Sequence, residues 1–189
     1  MRLMIDHLEI PNVLDGAACA ALRDELRATS GSAAALLSGE VRALVRRVTR
    51  VAVPAETGAR LTTLLMAQKG ALERHFGLAL SECEAPQFLR YQEGDFFVPH
   101  QDGNTPLIHD DSRFRKISVV LFLSAQADAP APDRYGGGAL VLHGPYMGPP
   151  LRVTMPAAPG TLVAYRAEVT HEVTPVTHGE RFTIVSWFR

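Results

Sequence analysis

The pattern of apolar and polar positions changes character near residue 86. Before it, apolar residues recur at helical spacing. Ala18, Leu22 and Leu26 share one face of G-A-A-C-A-A-L-R-D-E-L-R-A-T, with Asp15 placed to cap the run and Ser30-Gly31-Ser32 to end it. A second helix is predicted from Pro54, carrying Leu61, Leu64, Leu65, Leu72 and Phe76 on one face and stopping at Gly77. From Pro86 onward, short apolar runs alternate with Gly, Pro and Asp clusters. Strands are predicted at Gln87–Tyr91, Ile117–Leu123, Ala139–Leu142, Arg152–Met155, Thr161–Tyr165, His171–Val176 and Phe182–Phe188. Many short strands with turns between them make a sandwich or barrel. The expected fold is therefore α+β and mainly β: a jelly roll with N-terminal supporting helices. Residues 1–189 read as a single domain, with 1–85 the helical support and 86–189 the jelly-roll core. No repeat or linker interrupts it.

Composition narrows the partners. The chain has 189 residues, 47% hydrophobic and 21% charged, with a formal net charge of −1. That balance argues against a nucleic-acid binder or an anionic membrane surface. Cys19 and Cys83 cannot build a disulfide framework and read as inert thiols in a reducing compartment. The opening M-R-L-M-I-D-H-L has an early acid and no apolar stretch of signal-peptide type. No run approaches the roughly 18 apolar residues of a membrane span. A soluble, cytoplasmic protein is expected, its oligomeric state open.

The chemistry-bearing stretch is Y-Q-E-G-D-F-F-V-P-H-Q-D, Tyr91 to Asp102. On a strand, positions i and i+2 share a face, so His100 and Asp102 would stand side by side. One further neutral imidazole completes a two-His-one-carboxylate facial triad, the donor set that leaves positions open on non-haem Fe(II). His171, in V-T-H-E-V-T-P-V, is the candidate. His109-Asp110-Asp111 also spells His-x-Asp, but within a polar stretch where an aspartate more naturally caps a turn. His7, His75 and His178 read as surface residues, and His143 as lining the barrel or satisfying a turn. Arg181 opens the last apolar strand, R-F-T-I-V-S-W-F, where a buried guanidinium would grip a carboxylate with two parallel hydrogen bonds. Alternation leaves its direction open. Arg181, Thr183, Val185 and Trp187 share one face, and the more apolar Phe182, Ile184, Ser186 and Phe188 the other.

Together these residues resemble the prolyl 4-hydroxylase-like branch of the Fe(II)/2-oxoglutarate-dependent oxygenases. The likeness runs from about Phe88 to the C-terminus. It includes Tyr91, Gly94, Pro99, His100 and Asp102, the strand R-K-I-S-V-V-L-F-L-S, the Y-G-G-G-A-L turn, P-G-T-L-V-A-Y-R, and the closing H-E-V-T-P-V-T-H-G-E-R-F-T-I-V-S-W-F. The resemblance implies a double-stranded β-helix, with iron on His100, Asp102 and His171. It also implies that Arg181 faces the interior and pairs with the distal carboxylate of 2-oxoglutarate, with Thr183 and Tyr91 as hydroxyl donors. The implied reaction is hydroxylation of a C–H bond of a prolyl residue or proline-like small molecule. O2 is consumed, succinate and CO2 are released, and ascorbate is an optional addition. Two departures stand out: Arg181 where collagen-type members carry Lys, and G-G-G-A-L where the family commonly has G-G-E-x. The N-terminal half matches nothing by eye.

Two other readings compete. An AlkB-like nucleic-acid demethylase shares the metal and cosubstrate. A non-catalytic cupin-like module would need only the barrel and the ligand set, although a closed zinc site would use four Cys/His ligands, and no such set is visible.

Overall fold

A computed structural model describes residues 5–33, 43–106, 109–144 and 151–189 of the chain. The first strand, β1 (His7–Ile10), leads into α1 (Gly16–Ala28). Asp15 caps this helix, its Oδ1 accepting from the Ala18 amide at 2.7 Å, and Cys19, Leu22 and Leu26 form the buried face. The predicted second helix is two: α2 (Ala55–Met66) and α3 (Lys69–Phe76). They are separated where the Gln68 amide donates to Leu65 O, three residues back rather than four. That tightened turn re-aims the chain. Gly77, at φ +63°, ends α3 in the left-handed conformation expected of a glycine cap.

The N-terminal half is less purely helical than its periodicity suggests. It also contributes β2 (Gly31–Ala33), β3 (Arg46–Arg47) and β4 (Thr49–Val51). These runs are too short to show an alternation of their own. They form because partner strands offer unpaired backbone groups.

The remaining strands are β5 (Gln87–Tyr91), β6 (Phe96–His100), β7 (Ile117–Phe122), β8 (Ala125–Gln126) and β9 (Arg134–Gly137). Then follow β10 (Leu140–His143), β11 (Arg152–Thr154), β12 (Leu162–Arg166), β13 (His171–Val173), β14 (Val176–His178) and β15 (Arg181–Phe188). The segment expected as one strand over His171–Val176 is thus divided between β13 and β14. The Pro- and Ala-rich stretch Ser124–Arg134 contains β8 and the start of β9.

A seven-stranded antiparallel sheet runs β1-β12-β7-β15-β5-β4-β2, and a five-stranded one runs β11-β10-β13-β6-β3. A small third sheet, β14-β9-β8, lies between the ends of other strands in sequence. This is the double-stranded β-helix, with strands from both halves of the chain. β1 enters the large sheet beside β12, and β4 beside β5.

The large sheet is covered on both sides. Every residue of β7 is buried, and all of β15 except Val185. Ile117, Val119, Leu121, Phe182, Ile184 and Phe188 pack with Leu22, Leu26, Leu61, Leu65 and Phe76 of the helices. Val120, Phe122, Leu140, Leu142, Val163 and Tyr165 form a second core facing the small sheet. The more apolar side of β15 thus faces the helices, and the mixed side, with Arg181, faces the barrel. No helix among the described residues is long and apolar enough to cross a membrane.

Candidate active site

A cavity opens into the barrel, and three pairs of residues directly opposite one another on neighbouring strands build its walls. In the five-stranded sheet His100 on β6 stands opposite His171 on β13. In the large sheet Tyr91 on β5 stands opposite Arg181 on β15, and Ser118 on β7 opposite Trp187 on β15. Directly opposed residues of an antiparallel pair lie within about 5.5 Å, so register alone brings each pair together.

The two imidazoles are held alike. His100 Nδ1–H donates to Val98 O at 2.8 Å, and His171 Nδ1–H to Val169 O at 2.9 Å. Each bond fixes the tautomer and leaves the Nε2 lone pair free for a metal. The rings are 4.2 Å apart between centroids. Phe97 stacks flat on His100, at 3.5 Å and 16°, and locks its rotation.

Asp102 arrives differently from the expected strand pairing. β6 ends at His100, and Asp102 lies in the connection beyond it. Its amide, with that of Gly103, donates to Ala167 O, which anchors it to the turn before His171. The carboxylate still reaches the site: Oδ1 is 3.6 Å from His100 Nε2, and Oδ2 is 3.4 Å from His171 Nε2. One donor atom from each of the three residues falls within 4.8 Å of the others, and among the described residues this is the one such cluster.

Electrostatics favour ligation. Burial, then the neighbouring His171, pushes the His100 imidazole down to about 3, so it stays neutral. Burial alone would raise Asp102, but His171, His100 and hydrogen bonds from Trp187 and Ser118 outweigh it and keep the carboxylate ionised. The 3.4 and 3.6 Å approaches are spacings that one metal ion held between these donors would span. Two neutral nitrogens and one carboxylate are the donor set of a non-haem Fe(II) site.

Arg181 faces inward and is 1% exposed. Its Nη1 donates to Thr183 Oγ1 at 3.2 Å, and its guanidinium lies over the rings of Tyr91 (4.9 Å) and Phe122 (5.4 Å). Its Nε is buried without a partner, and no carboxylate among the described residues pairs with it. A buried guanidinium lacking an anion is costly, so this one fits a carboxylate brought by a ligand. Gly138, at φ +57°, makes room for it: a Cβ there would lie 3.1 Å from both Arg181 Cδ and the Tyr135 ring.

Other expectations sort cleanly. His109 is exposed, and Asp110 caps the turn at Asp111–Phe114 through Ser112. His143 bonds Glu172 at 3.1 Å beside Arg152 rather than lining the cavity. His178 is less exposed than expected, its Nε2 buried where the chain passes Gly136. Cys19 and Cys83 are free, their thiols raised by burial. Ser118, Trp187, Tyr165 and Arg46 also line the cavity and escaped the sequence reading. Only alternation along β7 and β15, read from the correct face, could have marked the first two.

Comparison with known proteins decides the family. The model of the 2OG-Fe(II) oxygenase superfamily matches residues 86–189. A PKHD-type hydroxylase of Burkholderia ambifaria is 35% identical over 190 residues, covering 95% of this chain and 77% of the relative. This chain belongs to the 2OG-Fe(II) oxygenase superfamily. It is a 2-oxoglutarate- and Fe(II)-dependent dioxygenase, and the similarity extends through the N-terminal half that matched nothing by eye. The fold agrees. A Pseudomonas putida prolyl-4-hydroxylase superimposes with a TM-score of 0.72 at 23% identity, covering 98% of this chain and 93% of that one. A Trichoplax adhaerens prolyl hydroxylase, solved with a hypoxia inducible factor oxygen degradation domain peptide fragment, gives 0.72 at 16%, covering 97% and 83%.

Proposed function

We propose that His100, Asp102 and His171 hold the Fe(II) of this oxygenase, and that Arg181 grips the distal carboxylate of 2-oxoglutarate, with Thr183 and Tyr91 supplying hydroxyls. The substrate is a prolyl residue of a peptide or a proline-like small molecule. The whole chain, 1–189, acts as a single catalytic domain. The observation that carries the reading is the meeting, in one cavity, of two Nε2 lone pairs, one carboxylate and a buried guanidinium with no acid of its own.

The chain's own groups have distinct tasks. The imidazoles present fixed lone pairs, and Asp102 brings the negative charge that offsets part of the metal's. Arg181 orients the cosubstrate by its planar fork, which a point charge could not do. Leu140, Val173 and Val185 line the cavity with apolar surface and keep water from the reacting C–H. Phe97, stacked on His100 and with the Arg46 guanidinium 4.7 Å from its ring, closes part of the cavity wall. When bound, iron and 2-oxoglutarate supply the oxidising power, with one oxygen atom of O2 leaving in succinate and the other entering the substrate. The prolyl preference draws support from the relatives, whose names describe hydroxylases of this kind.

The test is incubation of the Fe(II) enzyme and 2-oxoglutarate, with and without ascorbate, against proline-containing peptides and free proline. Succinate release coupled to a gain of one oxygen in the substrate is expected, and should vanish in His100→Ala and Asp102→Ala. Full turnover in either variant removes the metal assignment. Coupled release with non-prolyl substrates alone removes the prolyl assignment and leaves the oxygenase.

A further inference from the structure

The Asp102 carboxylate is the one metal-site group not carried on a strand, so something other than register must aim it. The large sheet does this from the opposite wall. Ser118 Oγ–H donates to Asp102 Oδ2 at 2.7 Å, and Ser118 is 1% exposed. Trp187, its direct cross-strand partner, also stabilises the ionised form of the same carboxylate. The indole is itself held. The Arg115 guanidinium lies 3.7 Å above it and forks onto Glu84 at 2.9 and 2.6 Å, while its other nitrogen reaches Asp102 O at 3.4 Å. Glu84 is tied in turn to Arg189 at 3.0 and 3.1 Å.

We infer that Ser118, aided by Trp187, is a positioning residue that orients the Asp102 carboxylate and thereby sets the enzyme's affinity for its metal. This rests on the reading of Asp102 as a metal ligand. A short side chain beyond a strand end is free to rotate about its carboxylate axis. A buried hydroxyl bound to one oxygen stops that rotation before the metal arrives, so less order has to be imposed on binding. It also stabilises negative charge in a cavity whose walls disfavour it. Partners of this kind behind ligating carboxylates change metal affinity by about 10- to 100-fold. Arg115 keeps the indole in register and ties the site to Glu84, before β5, and to the C-terminal residue.

The experiment is calorimetric titration of the metal-free protein with Mn(II), without cosubstrate, for the wild type, Ser118→Ala, Ser118→Thr, Trp187→Phe and Asp102→Ala. Ser118→Ala should weaken binding by about 10- to 100-fold. Ser118→Thr, which keeps the hydroxyl, should restore most of it. Trp187→Phe, which keeps the ring under Arg115 but lacks the N–H, should give a smaller loss. If Asp102→Ala loses the metal while folded Ser118→Ala and Trp187→Phe bind within twofold of wild type, the positioning role is wrong and the metal site stands. If Asp102→Ala itself binds as wild type does, the metal assignment falls first. Should Ser118→Ala fail to fold, equal affinities for wild type and Trp187→Phe, with a weakened Ser118→Thr, would overturn the inference.

Discussion

Arg181→Met separates the cost of burying a guanidinium from its use. Methionine keeps much of the stem's volume and deletes the charge. In the ligand-free protein Arg181 is 1% exposed, holds one hydrogen bond to Thr183, and has no carboxylate partner among the described residues. An uncompensated buried ion costs several kcal/mol. The two ring contacts return up to about 2 kcal/mol. Removing the charge should therefore stabilise the ligand-free fold by about 1–3 kcal/mol, which raises the melting temperature by about 2–4 °C per kcal/mol for a chain of this size. The cosubstrate should reverse the ranking. Losing one partner of a buried charged pair costs about 2–5 kcal/mol, a factor of about 30 to 4,000 in affinity. At 100 times its dissociation constant, 2-oxoglutarate stabilises the wild type by about 2.7 kcal/mol and should stabilise the variant by less than about 1 kcal/mol. Thermal melts with Mn(II), with and without 2-oxoglutarate, read both effects in one series. Arg181→Lys should fall between, having charge without the fork. A ligand-free Arg181→Met that melts below wild type, yet is stabilised by 2-oxoglutarate as much as wild type is, would refute the reasoning.

Acid should destabilise the metal-free fold in a defined window. His100 is held down to about 3, against about 6.5 for an unperturbed histidine, so the unfolded chain takes up the proton first. Its contribution is complete above about pH 6.5 and falls by up to about 1.4 kcal/mol per unit until about pH 3. Urea midpoints between pH 7 and 5 should show this slope, and His100→Gln should flatten it; an equal slope in both would rule it out. Gly160, at φ +80°, lies where a Cβ would come within 2.0 Å of Leu14 O, and its own carbonyl accepts the Val13 amide at 2.9 Å. Gly160→Ala should cost more than about 1 kcal/mol through the left-handed backbone alone, and the clash should loosen the segment before α1. Hydrogen exchange at Val13 and Leu14 as slow as wild type would contradict it.

What was legible in the chain depended on whether the signal was local. Strand positions such as Gln87–Tyr91 and Phe96–His100 could be read because their apolar runs end at turn residues. The cap at Asp15 could be read because capping is a contact across three residues. β2, β3 and β4 could not, because two- and three-residue strands exist only by virtue of their partners. The break between α2 and α3 was hidden because the apolar stripe continues through it, from Leu65 to Leu72. The metal set was legible as residue types in order, yet the reason given for His100 and Asp102 was only half right. The strand ends at His100, and the anchor of Asp102 is Ala167 O, a contact between positions far apart in sequence.

Arg181 shows why alternation failed where it mattered. The rule that the more apolar face points inward assumes a sheet with one wet side. Here the large sheet is buried on both faces, so its two patterns report two interiors of different chemistry. The helix-facing set is the more apolar because Phe182, Ile184 and Phe188 meet the helices, while Ser186 bonds Glu84 O beyond them. The barrel-facing set is mixed because it carries Arg181, Thr183 and Trp187 to the cavity, where we propose that the cosubstrate binds. In such a sheet the less apolar face marks the functional cavity. The same logic extends to β7, where Ser118 is the polar residue in an otherwise apolar run, I-S-V-V-L-F. A lone serine there would cost stability unless its hydroxyl had a partner, and its partner is the metal-site carboxylate. Buried polar exceptions on the barrel-facing side of these strands therefore point to this site, while Ser186 on the other side bonds Glu84 O.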